Sequence, residues 1–189
     1  MSAPKPGRML LISGPSGSGK SSICRRLQED PRVVFSVSAT TRAPRKGEVD
    51  GVHYLFVDAE RFRAMQREGA FIESAEVHGN LYGTLREPME RALAAGKVYL
   101  VEIDVQGALQ LKALSVPGVY VFVDVPDLGE LRRRLEARGT DAPEVIERRM
   151  QKAASERVER DKYDFVVVNR EFDAALAEVR RIAGLEEVS

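Results

Sequence analysis

The chain has 189 residues, a length that fits one folded core with a small insertion. Lysine plus arginine and aspartate plus glutamate both total 29, so the formal net charge is zero and no global field favours coating of nucleic acid or membrane. The composition of 43% hydrophobic and 31% charged residues excludes disorder, collagen and coiled coil for the whole chain, and the single cysteine, Cys24, excludes an intrachain disulfide.

The apolar runs near the N-terminus and elsewhere are far shorter than the roughly 20 residues that a membrane-spanning helix needs. Met9–Ile12 is also too short for the centre of a signal peptide, because Ser13 and Gly14 interrupt it. The first seven residues contain two prolines and a glycine, which favours a loose tail. Together with the single cysteine, these features predict a cytoplasmic protein that binds neither membrane nor nucleic acid.

Short apolar segments alternate with segments of helical periodicity. Nearly continuous apolar runs suit parallel strands that are buried on both faces. The predicted strands are Met9–Ile12, Val33–Ser38, Val98–Ile103, Val119–Val125 and Phe165–Val168. The predicted helices are Lys20–Gln28, Leu85–Ala95, Gln106–Leu114, Leu128–Arg138, a helix from Pro143, and Phe172–Gly184. This alternation predicts an α/β fold with a mainly parallel central sheet flanked by helices.

The helix that starts at Pro143 has an apolar stripe, and glycines follow two other helices where a C-terminal cap favours them. The stripe comprises Val145, Ile146, Met150, Ala153, Ala154 and Val158, and the capping glycines are Gly96 and Gly139. A stripe of this kind predicts the face of the helix that is turned towards the core.

Two stretches depart from the alternation and predict insertions. Residues 39–84 contain a polar loop (Thr40–Gly51), a strand (His53–Val57), a short helix from Asp58 and a mixed strand (Ala70–His78). Residues 127–162 form two basic helices joined by Gly139–Ala142. The core is then made of residues 1–38, 85–126 and 163–189.

The first predicted strand leads into a phosphate-binding loop. Residues 14–21 read Gly14-Pro15-Ser16-Gly17-Ser18-Gly19-Lys20-Ser21, which matches the pattern G-x-x-x-x-G-K-[ST] in full. The glycines let backbone N–H groups surround phosphate oxygens, and the following helix adds positive charge at its N-terminus. Lys20 is placed to reach the β- and γ-phosphates, and the Ser21 hydroxyl is placed to bind Mg²⁺. The loop predicts binding of a nucleoside triphosphate with Mg²⁺, but it does not indicate which reaction follows.

A second candidate anion site follows the second strand. Arg42 and Arg45 flank Pro44, and two guanidinium groups on a restrained loop can clamp a phosphate. Tyr54 and Tyr82 could each donate a hydroxyl. Taken alone, however, the same pattern favours a solvated basic loop.

With these residues the sequence resembles the guanylate kinase family, P-loop kinases that move a phosphoryl group from ATP to GMP. The resemblance extends from about Met9 to Asp173. It rests on the loop at 14–21, Ser-x-Thr-Thr-Arg-x-Pro-Arg-x-Gly-Glu at 38–48, Phe-Ile-Glu at 71–73 with Gly-Asn-x-Tyr-Gly-Thr at 79–84, Glu-Ile-Asp-x-Gln-Gly at 102–107, and Arg-Leu-x-x-Arg-Gly at 134–139. The block at 38–48 is highly specific to the family.

The resemblance implies a role for each matching position. It implies ATP binding by Gly14, Pro15, Ser16, Gly17, Ser18, Gly19, Lys20, Ser21, Ser22 and Asn169. It implies GMP binding by Ser38, Arg42, Arg45, Tyr54, Glu73, Tyr82, Thr84 and Asp104. It implies catalytic roles for Lys20, Arg42, Arg134, Arg138 and Arg149, and metal contacts by Ser21 and Glu102. The insertion 39–84 becomes the GMP-binding part and 127–162 a helical lid.

The chemistry of guanine agrees with these assignments. An ionised Glu73 can accept from N1–H and N2–H₂, while the hydroxyls of Ser38 and Thr84 can donate to O6. Adenine lacks that donor pair and would leave the carboxylate unpaired. GMP is therefore the expected acceptor, and dGMP a second one, because none of the assigned residues reads the ribose 2′-hydroxyl.

Several assignments keep alternatives. Many relatives carry aspartate where this chain has Glu102, which leaves open a metal contact through water. Asp104 could contact the guanine amino group, the metal or both, or cap the next helix. Asn169 could instead cap the last helix, and Arg148 competes with Arg149 for one lid position. Without the family, the lid arginines read as a solvated helix face.

The single cysteine and the two histidines have no predicted part in the reaction. Cys24, His53 and His78 have no catalytic partner by spacing, which indicates packing or surface roles.

Two other functions compete with this interpretation. They are a non-catalytic guanylate-kinase-like module that binds a phosphorylated peptide, and a related kinase acting on another nucleotide or a sugar phosphate. The intact phosphate loop argues against the first, and Glu73 with the 38–48 block argues against the second. A homo-oligomer stays open.

Overall fold

The central sheet of the computed structural model has five parallel strands, and the structure describes residues 7–77, 79–137, 139 and 141–186. The strands are β1 (Arg8–Ser13), β2 (Val33–Phe35), β7 (Val98–Glu102), β8 (Val119–Asp124) and β9 (Phe165–Val168). They lie in the order β2-β7-β1-β8-β9. The predicted α/β fold with a mainly parallel sheet is confirmed.

Helices cover both faces of this sheet. They are α1 (Lys20–Leu27), α3 (Arg86–Ala94), α4 (Val105–Ala113) and α7 (Phe172–Ala183). Leu10 and Ile12 of β1 pack in a cluster with residues of α1 and α7, whereas Met9 and Leu11 pack with residues of α3 and α4. Successive β1 side chains thus enter opposite clusters, which explains the continuous apolar run. The predicted end of α3 is confirmed, because Gly96 follows it with φ 70°.

The prediction that every apolar run is buried on both faces is wrong for β9. Val167 is fully buried, but Phe165, Val166 and Val168 are exposed. The reason is topological, because β9 is an edge strand with one sheet neighbour, β8. An apolar run therefore identified the strand correctly without locating it in the sheet.

A second, mixed sheet lies within residues 39–85. Its strands are β3 (Ala39–Thr40), β4 (Leu55–Phe56), β5 (Phe71–Val77) and β6 (Asn80–Leu85), in the order β4-β3-β6-β5. Phe62 and Met65 of α2 (Ala59–Arg67) pack against Ala39 and Phe71. The predicted small mixed α/β insertion is confirmed.

Some predicted boundaries in this region are wrong. The second strand ends at Phe35 rather than Ser38, because the chain leaves the central sheet and the Ser38 carbonyl accepts from Leu55 N of the mixed sheet. Thr40 belongs to β3 rather than to the polar loop, and β6 is absent from the predicted elements. These strands are short and polar, and they are stabilised by pairing rather than by a strong apolar pattern.

The helical pair consists of α5 (Leu128–Ala137) and α6 (Pro143–Val158), followed by a 3-10 turn (Glu159–Lys162). Of the predicted stripe, Ile146, Met150 and Ala153 are buried against Leu131 and Leu135 of α5. Ala154 and Val158 are exposed, contrary to the prediction. The lengths explain the difference, because α5 has 10 residues and α6 has 16, so the last turns of α6 extend past α5.

A buried carboxylate joins the end of α6 to the central sheet. Asp124, at the end of β8, is fully buried and lies 2.8 Å from Arg157 Nε and 3.2 Å from Arg160 Nη1. The Val125 backbone N–H also donates to it at 2.8 Å. This ion cluster fixes where the helical pair rejoins the core. Among the helices that the structure describes, none is long and apolar enough to cross a membrane.

Replacing Asp124 by asparagine is expected to lower the free energy of unfolding by about 3 kcal/mol, because two guanidinium groups would lose a buried counter-charge. Chemical denaturation measures the change. The matched control is Asp161→Asn, because Asp161 also pairs with Arg160, at 3.7 Å, but is 89% exposed. The control should change the free energy by less than about 1 kcal/mol. Equal effects of the two substitutions would contradict the anchoring role of Asp124.

Candidate active site

The candidate site lies at the edge where the central strands end. The phosphate loop follows β1, Ser36 follows β2, Asp104 follows β7 and Asn169 follows β9. A cavity of about 430 Å³ opens there, bordered by the phosphate loop, the mixed sheet and α6. Ligands of open α/β sheets bind at this edge, since loops diverge there and helix N-termini point towards it.

The phosphate loop is supported from behind by Asn169. Its amide Nδ2 donates to the Ser18 carbonyl at 2.8 Å. Gly19 has φ 95°, and a Cβ at Gly19 would lie 2.3 Å from Asn169 Nδ2, so only glycine fits. The alternative that Asn169 caps the last helix is wrong, because Glu171 is the residue preceding α7.

Lys20 is the first residue of α1, and its side chain lines the cavity. Its Nζ lies 3.4 Å from the Pro15 carbonyl, which bends the side chain back over the loop. Burial lowers the pKa of Lys20, while the charges of Glu102 and Glu156 oppose that shift. The ammonium is thus held among carboxylates in a largely desolvated position.

Ser21 and Glu102 come together next to Lys20. The Ser21 hydroxyl donates to Glu102 Oε1 at 2.5 Å. Both are oxygen ligands of the type that hard divalent cations prefer. Over the described ranges, no group of three or more histidine, cysteine, aspartate or glutamate side chains could hold a metal alone. Any cation here would therefore depend on oxygens from a bound ligand or water. Ser22, the next residue on α1, is exposed.

The arginines of the second anion site are held by a glutamate. Arg42 makes a bidentate pair with Glu48, at 2.9 and 2.8 Å, and its guanidinium lies 5.4 Å from the centre of the Tyr54 ring. The Arg45 backbone N–H donates to Glu48 at 2.7 Å, while the Arg45 side chain is exposed. Hydrogen bonds from Arg42 and from this N–H lower the pKa of Glu48 to about 2. The segment is thus an ordered loop rather than a freely solvated one.

Two tyrosines form the wall of the cavity beside this loop. The rings of Tyr54 and Tyr82 meet edge to face, with centres 6.1 Å apart. Burial raises the pKa of Tyr54, which keeps its hydroxyl protonated as a donor. Ser38 lines the same cavity.

The mixed sheet buries a carboxylate at the far end of the cavity. Glu73 on β5 is 8% exposed, and the Thr84 hydroxyl on β6 donates to its Oε1 at 2.7 Å. Burial raises the pKa of Glu73, the hydrogen bonds from Thr84 lower it, and the charge of Asp104 raises it further. The Glu73 carboxylate has further lone pairs with which it can accept hydrogen bonds from a ligand. Asp104 lines the cavity and also caps α4, accepting from Gly107 N at 2.8 Å.

The predicted lid arginines occupy different places. Arg149 Nη1 donates to Ser16 Oγ of the phosphate loop at 3.2 Å, whereas Arg148 is exposed. Arg134 is held by Glu130 at 2.7 Å and donates to the Asn169 carbonyl at 2.9 Å. It therefore lies on the Asn169 side of the loop. Arg138 lies outside the described residues.

Sequence reasoning missed three titratable residues that line the cavity. His53, predicted to serve packing or the surface, lines it and accepts from Val49 N through Nδ1 at 3.0 Å. Lys152 and Glu156 also line it, one and two turns after Arg149 on α6. That helical spacing was the signal available in the sequence. Cys24 is buried in the core as expected, and His78 lies outside the described part of the chain.

Comparison with known proteins identifies the family. A family model described as guanylate kinase matches residues 6–185. The guanylate kinase of Sphingopyxis alaskensis is 50% identical over 184 residues, covering 96% of this chain and 84% of that protein. That of Thermus thermophilus is 46% identical over 180 residues, covering 95% and 82%. The crystal structure of guanylate kinase from Anaplasma phagocytophilum matches with a TM-score of 0.76 at 34% identity, covering 98% of this chain and 88% of that one. The chain therefore belongs to the guanylate kinase family.

Proposed function

We propose that the chain transfers the γ-phosphoryl group of ATP to GMP and gives ADP and GDP. The observation that carries the proposal is that Glu73, paired with Thr84, shares one cavity with Lys20 of the phosphate loop. A buried carboxylate suits the adjacent N–H donors of guanine, and the loop suits a triphosphate. One crevice can therefore hold donor and acceptor together.

The reaction needs little covalent help from the protein. An acceptor phosphate oxygen is already ionised near neutral pH, so it attacks the γ-phosphorus without a protein base. The new P–O bond forms while the bond to the bridging oxygen of ADP breaks, and the leaving diphosphate keeps that electron pair. The residues then act by aligning two anions and neutralising their repulsion. Lys20, Arg42 and Arg149 supply that positive charge.

The pair formed by Ser21 and Glu102 fits the Mg²⁺ that accompanies ATP, because both offer hard oxygen ligands in contact with each other. Ser21 would bind the ion directly, and Glu102 directly or through water. When bound, Mg²⁺ would neutralise charge on the β- and γ-phosphate oxygens.

The two insertions have complementary parts in this proposal. We assign residues 39–84 to GMP binding and 127–162 to a lid that closes over both substrates and limits ATP hydrolysis by excluding water. The core of residues 1–38, 85–126 and 163–189 holds ATP. We also propose dGMP as an acceptor, since none of the residues assigned to GMP is placed to read the 2′-hydroxyl.

The direct test is coupled detection of ADP with MgATP and GMP, dGMP, AMP, CMP or UMP as acceptor. We expect turnover with GMP, weaker turnover with dGMP and near-blank rates with the others. ATP binding without turnover on any acceptor would contradict the proposal. That outcome would favour a sugar phosphate acceptor or a phosphopeptide-binding module.

Replacing Arg42 by alanine is expected to raise the KM for GMP about 100-fold and leave the KM for MgATP within about threefold, because its guanidinium is assigned to the acceptor phosphate and not to ATP. The matched control is Arg61→Ala, since Arg61 also pairs with a glutamate in the same insertion but is exposed. Steady-state kinetics in both substrates provide the readout. A selective rise in the KM for MgATP would show that the two anion sites are assigned the wrong way round.

A further inference from the structure

One face of α6 carries charged side chains into the cavity. Arg149, Lys152 and Glu156 follow each other at one-turn intervals along it. Arg149 holds this face against the phosphate loop through Ser16 Oγ. All three side chains line the cavity that also contains Lys20.

Lys152 and Glu156 form an ion pair at the cavity wall. Lys152 Nζ lies 3.5 Å from Glu156 Oε1, and the side chains are 55% and 12% exposed respectively. The carboxylate is thus the more buried member of the pair, and the ammonium is the more exposed one. Burial raises the pKa of Glu156, whereas the nearby charges of Lys152 and Lys20 lower it. The carboxylate therefore lies within electrostatic reach of both ammonium groups.

The charge balance of the cavity explains why an extra cation matters. Its carboxylates are Glu73, Glu102, Asp104 and Glu156, and its cations are Lys20, Arg149 and Lys152. Two phosphate-bearing substrates add several negative charges to this set. Their mutual repulsion is greatest where the acceptor oxygen approaches the γ-phosphorus, between the phosphate loop and the mixed sheet. Lys152 lines the cavity in which this gap would lie.

We propose that Lys152 is a further catalytic residue, which binds the phosphoryl group during its transfer between the two nucleotides, and that Glu156 holds its ammonium in position. The inference rests on the proposed function, because it names a residue for that same reaction. Lysine acts here as a compact point charge on a flexible stem, suited to a group that changes shape during transfer.

The test is Lys152→Met, which keeps an unbranched stem out to Cε and removes the ammonium group. We expect kcat to fall about tenfold, with both KM values within about threefold, because the contact forms mainly in the transition state. Partial exposure limits the effect through screening by solvent. Lys152→Arg should restore part of the loss, since it restores the charge.

The matched control is Lys162→Met. Lys162 also forms an ion pair with a glutamate, Glu159, in the turn after α6, but it does not line the cavity. We expect its kcat to stay within about twofold of the unmodified chain. If Lys152→Met behaves like this control, the proposal for Lys152 is overturned while the proposed function stands. If the unmodified chain shows no GMP-dependent turnover, both are overturned.

Glu156→Gln tests the second half of the inference. We expect kcat to fall about threefold, and Glu156→Gln to add no further loss to Lys152→Met, because both act through one ammonium group. Thermal unfolding of each variant separates this coupling from a loss of fold. Fully additive losses in kcat would contradict positioning of Lys152 by Glu156.

Discussion

Replacing Lys20 by alanine is expected to lower kcat by about 100- to 1,000-fold. The reason is that its ammonium lies in the cavity at the start of α1, next to the loop that is assigned to the triphosphate, and burial already lowers its pKa. Charge in such a desolvated place stabilises the transition state more than it would in water. The affinity for MgATP should also weaken, whereas that for GMP should change little, because most of the residues assigned to GMP lie in the insertion of residues 39–84.

Steady-state kinetics and calorimetric binding of GMP measure this effect together. Unchanged GMP binding would show that the variant is folded, which makes the loss of kcat interpretable. Lys97→Ala serves as control, because Lys97 is exposed and precedes β7 at the opposite end of the strands from the cavity. Near-normal turnover of the Lys20 variant would remove the phosphate loop from the reaction and with it the proposed donor site.

The central sheet was predictable because its strands are apolar and buried. β1, β7 and β8 lie inside the sheet, so almost every side chain enters a cluster and the pattern is continuous. The mixed sheet was harder to predict residue by residue. β3 has two residues and β6 includes polar positions, so their extended form depends on partners distant in the chain. The hydrophobic periodicity of a short segment does not indicate which distant strands it pairs with.

The candidate site also combines residues that could be predicted from the sequence with residues that could not. The phosphate loop is formed by contiguous residues, so one sequence motif includes all of them, among them the glycines and Lys20. Lys152 and Glu156 depend instead on how α6 is docked, and their spacing from Arg149 is the local signal that they share its face. The role of Asn169 in supporting the phosphate loop is of the same kind, since its partner Ser18 is 151 residues away. Long-range docking, rather than local chemistry, marks the limit of the sequence prediction.

Replacing Glu73 by glutamine is expected to lower kcat/KM for GMP by about 100- to 1,000-fold and to reduce the preference for GMP over AMP. The carboxylate can accept from both N1–H and N2–H₂ of guanine, whereas the amide offers one acceptor and sets its own N–H₂ against a guanine donor. Adenine presents one donor next to one acceptor, which an amide can pair with fully. The substitution therefore changes which base leaves the buried group unpaired.

The matched control is Glu76→Gln, which makes the same chemical change at an exposed position of the same strand. Burial raises the pKa of Glu73, so the carboxylate becomes protonated at a higher pH than an ordinary glutamate would. As the solution is acidified, the KM for GMP should therefore begin to rise at that higher pH. An amide side chain does not titrate, so that acid limb should disappear in the Glu73→Gln variant and persist in the control.

Stability separates recognition from folding in this experiment. Removing a charge that burial disfavours should leave the thermal midpoint of Glu73→Gln unchanged or raise it, while the Thr84 hydroxyl can still donate to the amide oxygen. A large loss of GMP turnover in a protein of undiminished stability would place guanine recognition at this carboxylate. Retention of GMP selectivity would mean that the base is read elsewhere in the cavity, and the buried Glu73 would then need a different explanation.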